Sequence, residues 1–442
     1  MTTEKSERME EDRRTTRSLF DVDPVTGDRV ESLCTWGLGL SVADIHYLFA
    51  MNPVGWSSIH QTNKRHRQVR DATMCLMTRW LERHPEKAPV PSLSHELAQV
   101  WDKAPRHAEM ADVVDFLAEV GERADGKATA ARLISLYLGR DASSAYRWGT
   151  AQGKATPVVR NAAMTLMRAI RRDGPQAWKE WREVAEEEAR ARGMDGVSSR
   201  KSWISDPEGQ PADGVNGNRI ERLSLGLGLG TPDTLWLFGL TPMAWSAMRN
   251  DEYAILVRDA LGKEEEVPVP SGSRARLEQR LNWDRSLTDR IGPREIVSIR
   301  HVRDRSRDTV DKPTIGILVR WLERHPEDCI IPIWSDVADV YDLLNERLEG
   351  AGFPAIPAKH LSLALGRDAS SGSRWLSTGS GESKRTTPIV DRLATLLQQA
   401  IEERGLDAWR EWASMVEAEA TSRDISTVWR SRGWTERKKR AA

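Results

Sequence analysis

The sequence predicts an all-α fold. Apolar residues recur at spacings of three and four, alternating β-branched stretches are scarce, and proline and glycine sit at the ends of the apolar-periodic runs. "DATMCLMTRWLERH" (71–84) sets Met74, Met77, Trp80 and Leu81 on one stripe before Pro85 stops the helix. "PQAWKEWREVAEEEARARG" (175–193) opens on proline, closes on Gly193 and lines up Trp178, Trp181 and Val184.

Repetition organises these helices. "ISLYLGRDASSAYRW" (134–148) returns as "LSLALGRDASSGSRW" (361–375), with "LGRDASS" unchanged. "TPVVRNAAMTLMRAI" matches "TPIVDRLATLLQQAI", "AWKEWREVAEEEA" matches "AWREWASMVEAEA", and "TRWLERHPE" matches "VRWLERHPE". "LGLSVADIHYLFAMNPVGWSSIHQ" (38–61) resembles "LGLGTPDTLWLFGLTPMAWSAMRN" (227–250). The chain therefore reads as a tandem duplication, roughly 31–195 and 219–422, joined by a Gly-, Pro-, Asp- and Asn-rich segment. The second copy carries about fifty extra residues, in which "SLTDRIGPREIVSIRH" is a candidate further helix–turn–helix and "VPVPS" echoes "APVPS".

At 442 residues the chain exceeds one ordinary core. Its charged N-terminus lacks the apolar stretch of a signal peptide, and no apolar run reaches membrane-spanning length, so a cytoplasmic protein is expected. Cys34, Cys75 and Cys329 are odd in number and far apart, which argues for free thiols over a disulfide framework or zinc site. Net charge is −1, yet the segment from Lys127 to Arg172 holds nine basic residues and one acid, Asp141. Local charge of that kind suits a phosphate backbone.

In 131–149, Leu133, Ile134, Tyr137 and Leu138 form the apolar side of a short helix, and Gly139 supplies a turn. Asp141 is placed to cap a second helix, with Ala142, Ala145 and Trp148 inward and Ser143, Ser144 and Arg147 outward. This pattern resembles the helix-turn-helix of lambda-repressor-like (XRE-type) DNA-binding proteins. Ile134, Leu138, Gly139, Ala145 and Trp148 fill the motif's slots, while Arg140 stands where an apolar residue is usual. Ile45, Phe49, Ala50, Met51, Trp56 and Ile59 fill them in the N-terminal element, and Thr234, Phe238, Gly239, Leu240, Trp245 and Met248 in its counterpart. Asn52 and Thr241, each followed by proline, read as N-caps.

The resemblance covers about half the chain and implies this organisation: an arm over 1–30; helix-turn-helix units over 31–126 and 127–195; a linker over 196–218; a third unit over 219–272; a helical unit over 273–357; a further helix-turn-helix unit over 358–422; and a basic tail over 423–442. It also implies sequence-specific binding of double-stranded DNA by a bacterial, nucleoid-associated transcriptional regulator, with a mobile element as its candidate setting. The expected contact residues are Arg140, Ser143, Ser144, Tyr146, Arg147, Lys154 and Arg160, then Arg367, Ser370, Ser371, Ser373 and Arg374. The N-terminal elements add Asn52, Ser57, Ser58, Lys64, Arg65, Thr241 and Ser246, and Arg168 extends the positive surface. Small polar residues and arginine suit a helix end that enters the major groove and reads guanine. A second copy of the chain, or another regulatory protein, is a further candidate partner.

Other chemistry is not expected. "LGLGLGT" lacks dinucleotide-fingerprint spacing, no Walker loop is present, and Ser143 and Ser144 have no histidine base within the repeat. His84 and His325 read as helix-end residues rather than metal ligands. No enzyme activity, cofactor or metal is therefore expected. The rival readings are a helical scaffold or adaptor, suggested by the near-neutral total charge and the acidic helices at 180–188 and 415–419, and a plasmid replication or partition protein.

Overall fold

The computed structural model describes residues 20–61, 64–148, 150, 154–197, 201–203, 213–249, 251–259, 263–269, 295–304, 310–377 and 386–434. In chain order, α1 (Gly27–Ser32) runs into a π-helical turn, Leu33–Gly37. Then come α2 (Val42–Leu48), opened by a capping box between Ser41 and Asp44, and α3 (Pro53–His60). Next, α4 (Ala72–Arg83) is buried from Ala72 to Leu81 and is stopped by the proline after His84. It is followed by α5 (Leu93–Ala98), α6 (Met110–Asp125), α7 (Ala131–Tyr137) and α8 (Ser144–Arg147). The long pair α9 (Pro157–Asp173) and α10 (Pro175–Ala191) turns at Gly174 and closes this half.

The second half starts with α11 (Gly217–Gly226), α12 (Thr231–Leu237) and α13 (Pro242–Arg249). A sheet follows: β1 (Asp251–Arg258), β2 (Glu264–Val269) and β3 (Glu295–Asp304), antiparallel in the order β2-β1-β3. The chain continues with α14 (Pro313–Arg324), α15 (Val337–Gly350), α16 (Ala358–Ala364), α17 (Ala369–Trp375), α18 (Pro388–Arg404) and α19 (Leu406–Ser422).

The fold is thus mostly helical, and the sheet occupies the extra segment of the second copy. The expected helix–turn–helix at 286–301 is corrected over its second part, where residues 295–301 belong to β3; residues 286–294 lie outside the described residues. "EIVSIRHV" is rich in β-branched residues, a composition that favours a pleated strand. The "VPV" of "VPVPS" likewise falls in β2. No helix among the described residues is long and apolar enough to cross a membrane.

The chain forms two compact units, one from residues 1–90 and 332–442, the other from residues 91–331. In the first, α4 packs on α18 and α19, and α15 packs on α18. Trp80 of α4 and Trp412 of α19 meet with ring centroids 4.6 Å apart, both buried. In the second unit α14 packs on α9, α10 and α11, with Trp321 and Trp181 5.1 Å apart. Each unit therefore joins a "RWLERHPE" helix from one copy of the repeated sequence to an "AW-x-EW" helix from the other.

A buried charge network fastens the same joint in each unit. Glu419 accepts from Arg79 at 2.8 Å and from Arg423 at 2.6 Å. In the other unit Glu188 accepts from Arg320 and Arg192, both at 2.8 Å. The outer guanidinium nitrogens are also satisfied: Arg79 donates to the carbonyls of Asp21 and Asp23, and Arg192 to that of Val310. Charges so deeply buried are tolerated only when every donor has a partner. Of the cysteines, Cys34 and Cys75 are buried and Cys329 half-buried; burial pushes the Cys34 thiol up to about 12.

Candidate nucleic-acid interface

The repeated "LGRDASS" stretch makes the same turn twice. Gly139 and Gly366 have φ of +75° and +76°, the left-handed region in which a side chain is strained. Each also lies against the first turn of a helix. A Cβ on Gly139 would run into the backbone of Thr314, and one on Gly366 into that of Thr73. The hydroxyl of Thr314 donates to the Leu138 carbonyl at 2.9 Å, and that of Thr73 to Leu365 at 2.8 Å. Close backbone approach and a left-handed turn thus both require glycine here. The indoles of Trp181 and Trp412 complete the clasp, donating to the carbonyls of Tyr137 and Ala364, each at 3.0 Å.

The face beyond the turn differs from the expectation. Ser143 and Ser370 are exposed, but Ser144 and Ser371, expected to face outward as DNA contacts, are buried. The reason is local: the Ser144 hydroxyl donates to Asp141 at 2.9 Å, and Arg374 reaches back to Ser371 at 2.9 Å. Asp141 accepts the Ser143 N–H at 3.1 Å, so it caps the turn, and α8 itself begins only at Ser144 and makes a single turn. Arg147 closes onto Asp141 at 3.0 Å. Burial opposes ionisation of Asp141, but hydrogen bonds from Ser143 and Ser144 and the charge of Arg147 hold its carboxyl below the usual range. Asp368, at the N-cap of α17, makes no such capping bond.

The other expected contacts are scattered. Tyr146, Lys154, Ser373 and Arg374 are exposed, while Arg140 and Arg160 are half-buried. Arg367 lies 3.4 Å from Asp71 and donates to Thr387. Arg168 does not extend a positive surface, because it is bound to Glu96 at 2.8 Å and to the Cys329 carbonyl. Arg172, in the same basic segment, sits on Glu327 at 2.6 Å and Asp328 at 2.7 Å. Those two acids cluster with His325 in a geometry a cation could use, but the guanidinium already occupies the carboxylates.

The N-terminal element is better disposed. Phe49, Trp56 and Ile45 are buried beneath α2 and α3, and Ala50 makes the turn with φ +50°. Asn52 caps α3 by accepting the Gly55 N–H at 2.7 Å, as Thr241 caps α13 through Ala244 at 3.1 Å. Asn52, Ser57 and Ser58 are exposed along α3, as Thr241 and Ser246 are on α13. After α3, Lys64, Arg65, Arg67 and Arg70 are all exposed, with no acid between residues 61 and 70; Arg65 leans on Asp28 at 3.4 Å. The acid-free run 60–70 already pointed to Arg67 and Arg70 beside Lys64 and Arg65. After α13 the chain enters β1 instead. Comparison with protein-family models, with curated proteins and with solved structures finds no match to this chain.

Proposed function

We propose that this protein binds double-stranded DNA in a sequence-dependent way, as a regulator of the kind found on bacterial mobile elements, and that the principal contact is α3 with the loop that follows it. The observation that carries this reading is the set of exposed cations Lys64, Arg65, Arg67 and Arg70, with no acid among residues 61–70, directly after a capped helix whose outer face offers Asn52, Ser57 and Ser58. Cations there would hold phosphates and set the register, while the short polar side chains lie where a helix meets base edges. Arg147 is a lesser contributor, because Asp141 neutralises it.

Fluorescence anisotropy with labelled genomic fragments, at several salt concentrations, tests this. Binding should weaken with salt, and Lys64→Ala with Arg67→Ala and Arg70→Ala should reduce the salt slope by about 1 per residue. Arg147→Ala should leave it nearly unchanged. Salt-independent binding, or none to any fragment, would sink the reading.

One observation favours a helical adaptor as a second reading. Large apolar side chains project at matching places in both units: Trp36 (84% exposed) and Leu225 (71%), Val54 (77%) and Met243 (80%). Isolated exposed apolar residues are ordinary, but their recurrence fits a protein-docking surface. Trp36→Ser with Leu225→Ser should leave DNA affinity intact if DNA is the target.

A further inference from the structure

The two units reproduce many of each other's contacts, and the sharpest difference lies at the end of the central helix. In the first unit Lys87, just beyond α4, places its ammonium 2.6 Å from both carboxylate oxygens of Glu403 on α18. In the second unit Arg172 on α9 lies 2.7 Å from Asp328, just beyond α14. Asp328 is buried and also accepts from the Trp321 indole at 3.0 Å. "RWLERHPEK" (79–87) aligns with "RWLERHPED" (320–328), and "AIRRDG" (169–174) with "AIEERG" (400–405). Lys87 therefore corresponds to Asp328, and Glu403 to Arg172. The same ion pair occurs twice with its polarity reversed.

That reversal has a consequence for which segments can pair. If each copy of the repeated sequence closed on itself, Lys87 would face Arg172 and Asp328 would face Glu403, like charges in both places. The Arg–Glu–Arg and His–Glu joints cannot discriminate so sharply, because they are chemically the same in both units. Arg79–Glu419–Arg423 matches Arg320–Glu188–Arg192, and His84–Glu411 matches His325–Glu180. A second difference acts with the first. Arg392 donates to the Tyr47 carbonyl and lies over the Tyr47 and Trp334 rings, at 4.4 and 5.0 Å. Its counterpart Asn161 donates instead to the carbonyls of Trp236 at 2.6 Å and Leu237 at 3.1 Å.

We propose that the two copies are mutual binding partners, the first half of each docking on the second half of the other, and that the oppositely oriented Lys87–Glu403 and Asp328–Arg172 pairs select this exchange against self-closure. Repulsion in the wrong pairing, as much as attraction in the right one, gives such selectivity. The chain then behaves as a duplicated unit whose halves have traded places, held together by these surfaces and not by the segment that joins the copies. The proposal is independent of what the surface of either unit binds.

The test uses the full chain with a protease site placed within residues 204–212 and cut after folding. Its two pieces, one copy each, should elute together at the intact mass and part only in denaturant; pieces that elute separately in buffer would overturn the mutual partnership. Glu403→Lys and Lys87→Glu, each at a partly exposed position, should separately raise the dissociation constant of the cut chain about tenfold. Together they restore an opposite-charge pair and should recover wild-type retention. Adding Arg172→Glu to Glu403→Lys makes self-closure complementary at both places, and its pieces should part most readily. Unchanged retention in the single variants, or no recovery in the Lys87→Glu, Glu403→Lys pair, would overturn the selecting role of the charges. If a single variant fails to fold, refolding in the paired variant supports the proposal and continued failure overturns it.

Discussion

The two units answer different questions because they agree inside and disagree outside. Inside, both have a glycine turn clasped by threonine, a tryptophan pair, and a buried Glu between two Arg. Outside, α3 in the first unit leads into an exposed basic loop, whereas α13 in the second leads into a β-strand. The shared joint also differs beside its buried glutamate: Gly316 leaves the space taken by the Glu188 carboxylate, while Cys75 occupies the same position beside Glu419. What the units share builds the same joint twice, and what distinguishes them lies in the charge pair at its end and in the chain that follows α3 and α13.

The largest effect should come from the buried networks. Arg79→Met and Arg320→Met each leave a buried glutamate short of a partner, a loss on the order of 3–5 kcal/mol. Hydrogen exchange followed by mass spectrometry should show each substitution weakening its own unit most, and equal weakening of both would break the correspondence. Next come Gly139→Ala and Gly366→Ala, which combine a left-handed backbone with a Cβ pressed on a neighbouring backbone. They should cost about 2–4 kcal/mol in chemical denaturation, and a smaller cost would mean the turn can shift away from its threonine.

Acid should separate the units by a smaller margin. In the first, burial resists ionisation of Glu411, but Arg404 and His84 hold its carboxyl below the usual range. Its stabilisation is present above the ordinary glutamate pKa and is lost as pH falls through the lowered value. Asp213 in the second unit behaves alike, lowered chiefly by its hydrogen bond from Arg320. Asp328 has the opposite sign: burial raises its pKa, so it opposes stability at neutral pH and is relieved as pH falls through that raised value. Between pH 7 and about 4 Asp328 should therefore favour the second unit on acidification, and Asp328→Asn should remove that gain, whereas the losses at Glu411 and Asp213 come at lower pH. Hydrogen exchange across that range measures both.

Much of this was legible in the sequence. Proline, glycine and apolar spacing located α4 and α10, and Asn52 and Thr241 were recognisable as caps because capping is settled within a few residues. The three strands were less so, since their segment carries both turn residues and β-branched runs. The burial of Ser144 was misjudged because helical spacing gives a face but not which neighbours cover it, and here Asp141 and Arg147 draw the hydroxyl in.

The sequence by itself determined the helical class, the proline and glycine stops of α4 and α10, the glycine turn and the repetition of these stretches along the chain, because those follow from residues close in sequence. Only the tertiary structure decided which copy of each helix packs on which. That choice rests on pairs hundreds of residues apart, such as Arg79 with Glu419 and Lys87 with Glu403, whose complementarity has no meaning until they face each other. It also decided the fate of the charges, turning Arg168 and Arg172 into internal ties and leaving Lys64, Arg65, Arg67 and Arg70 exposed after α3.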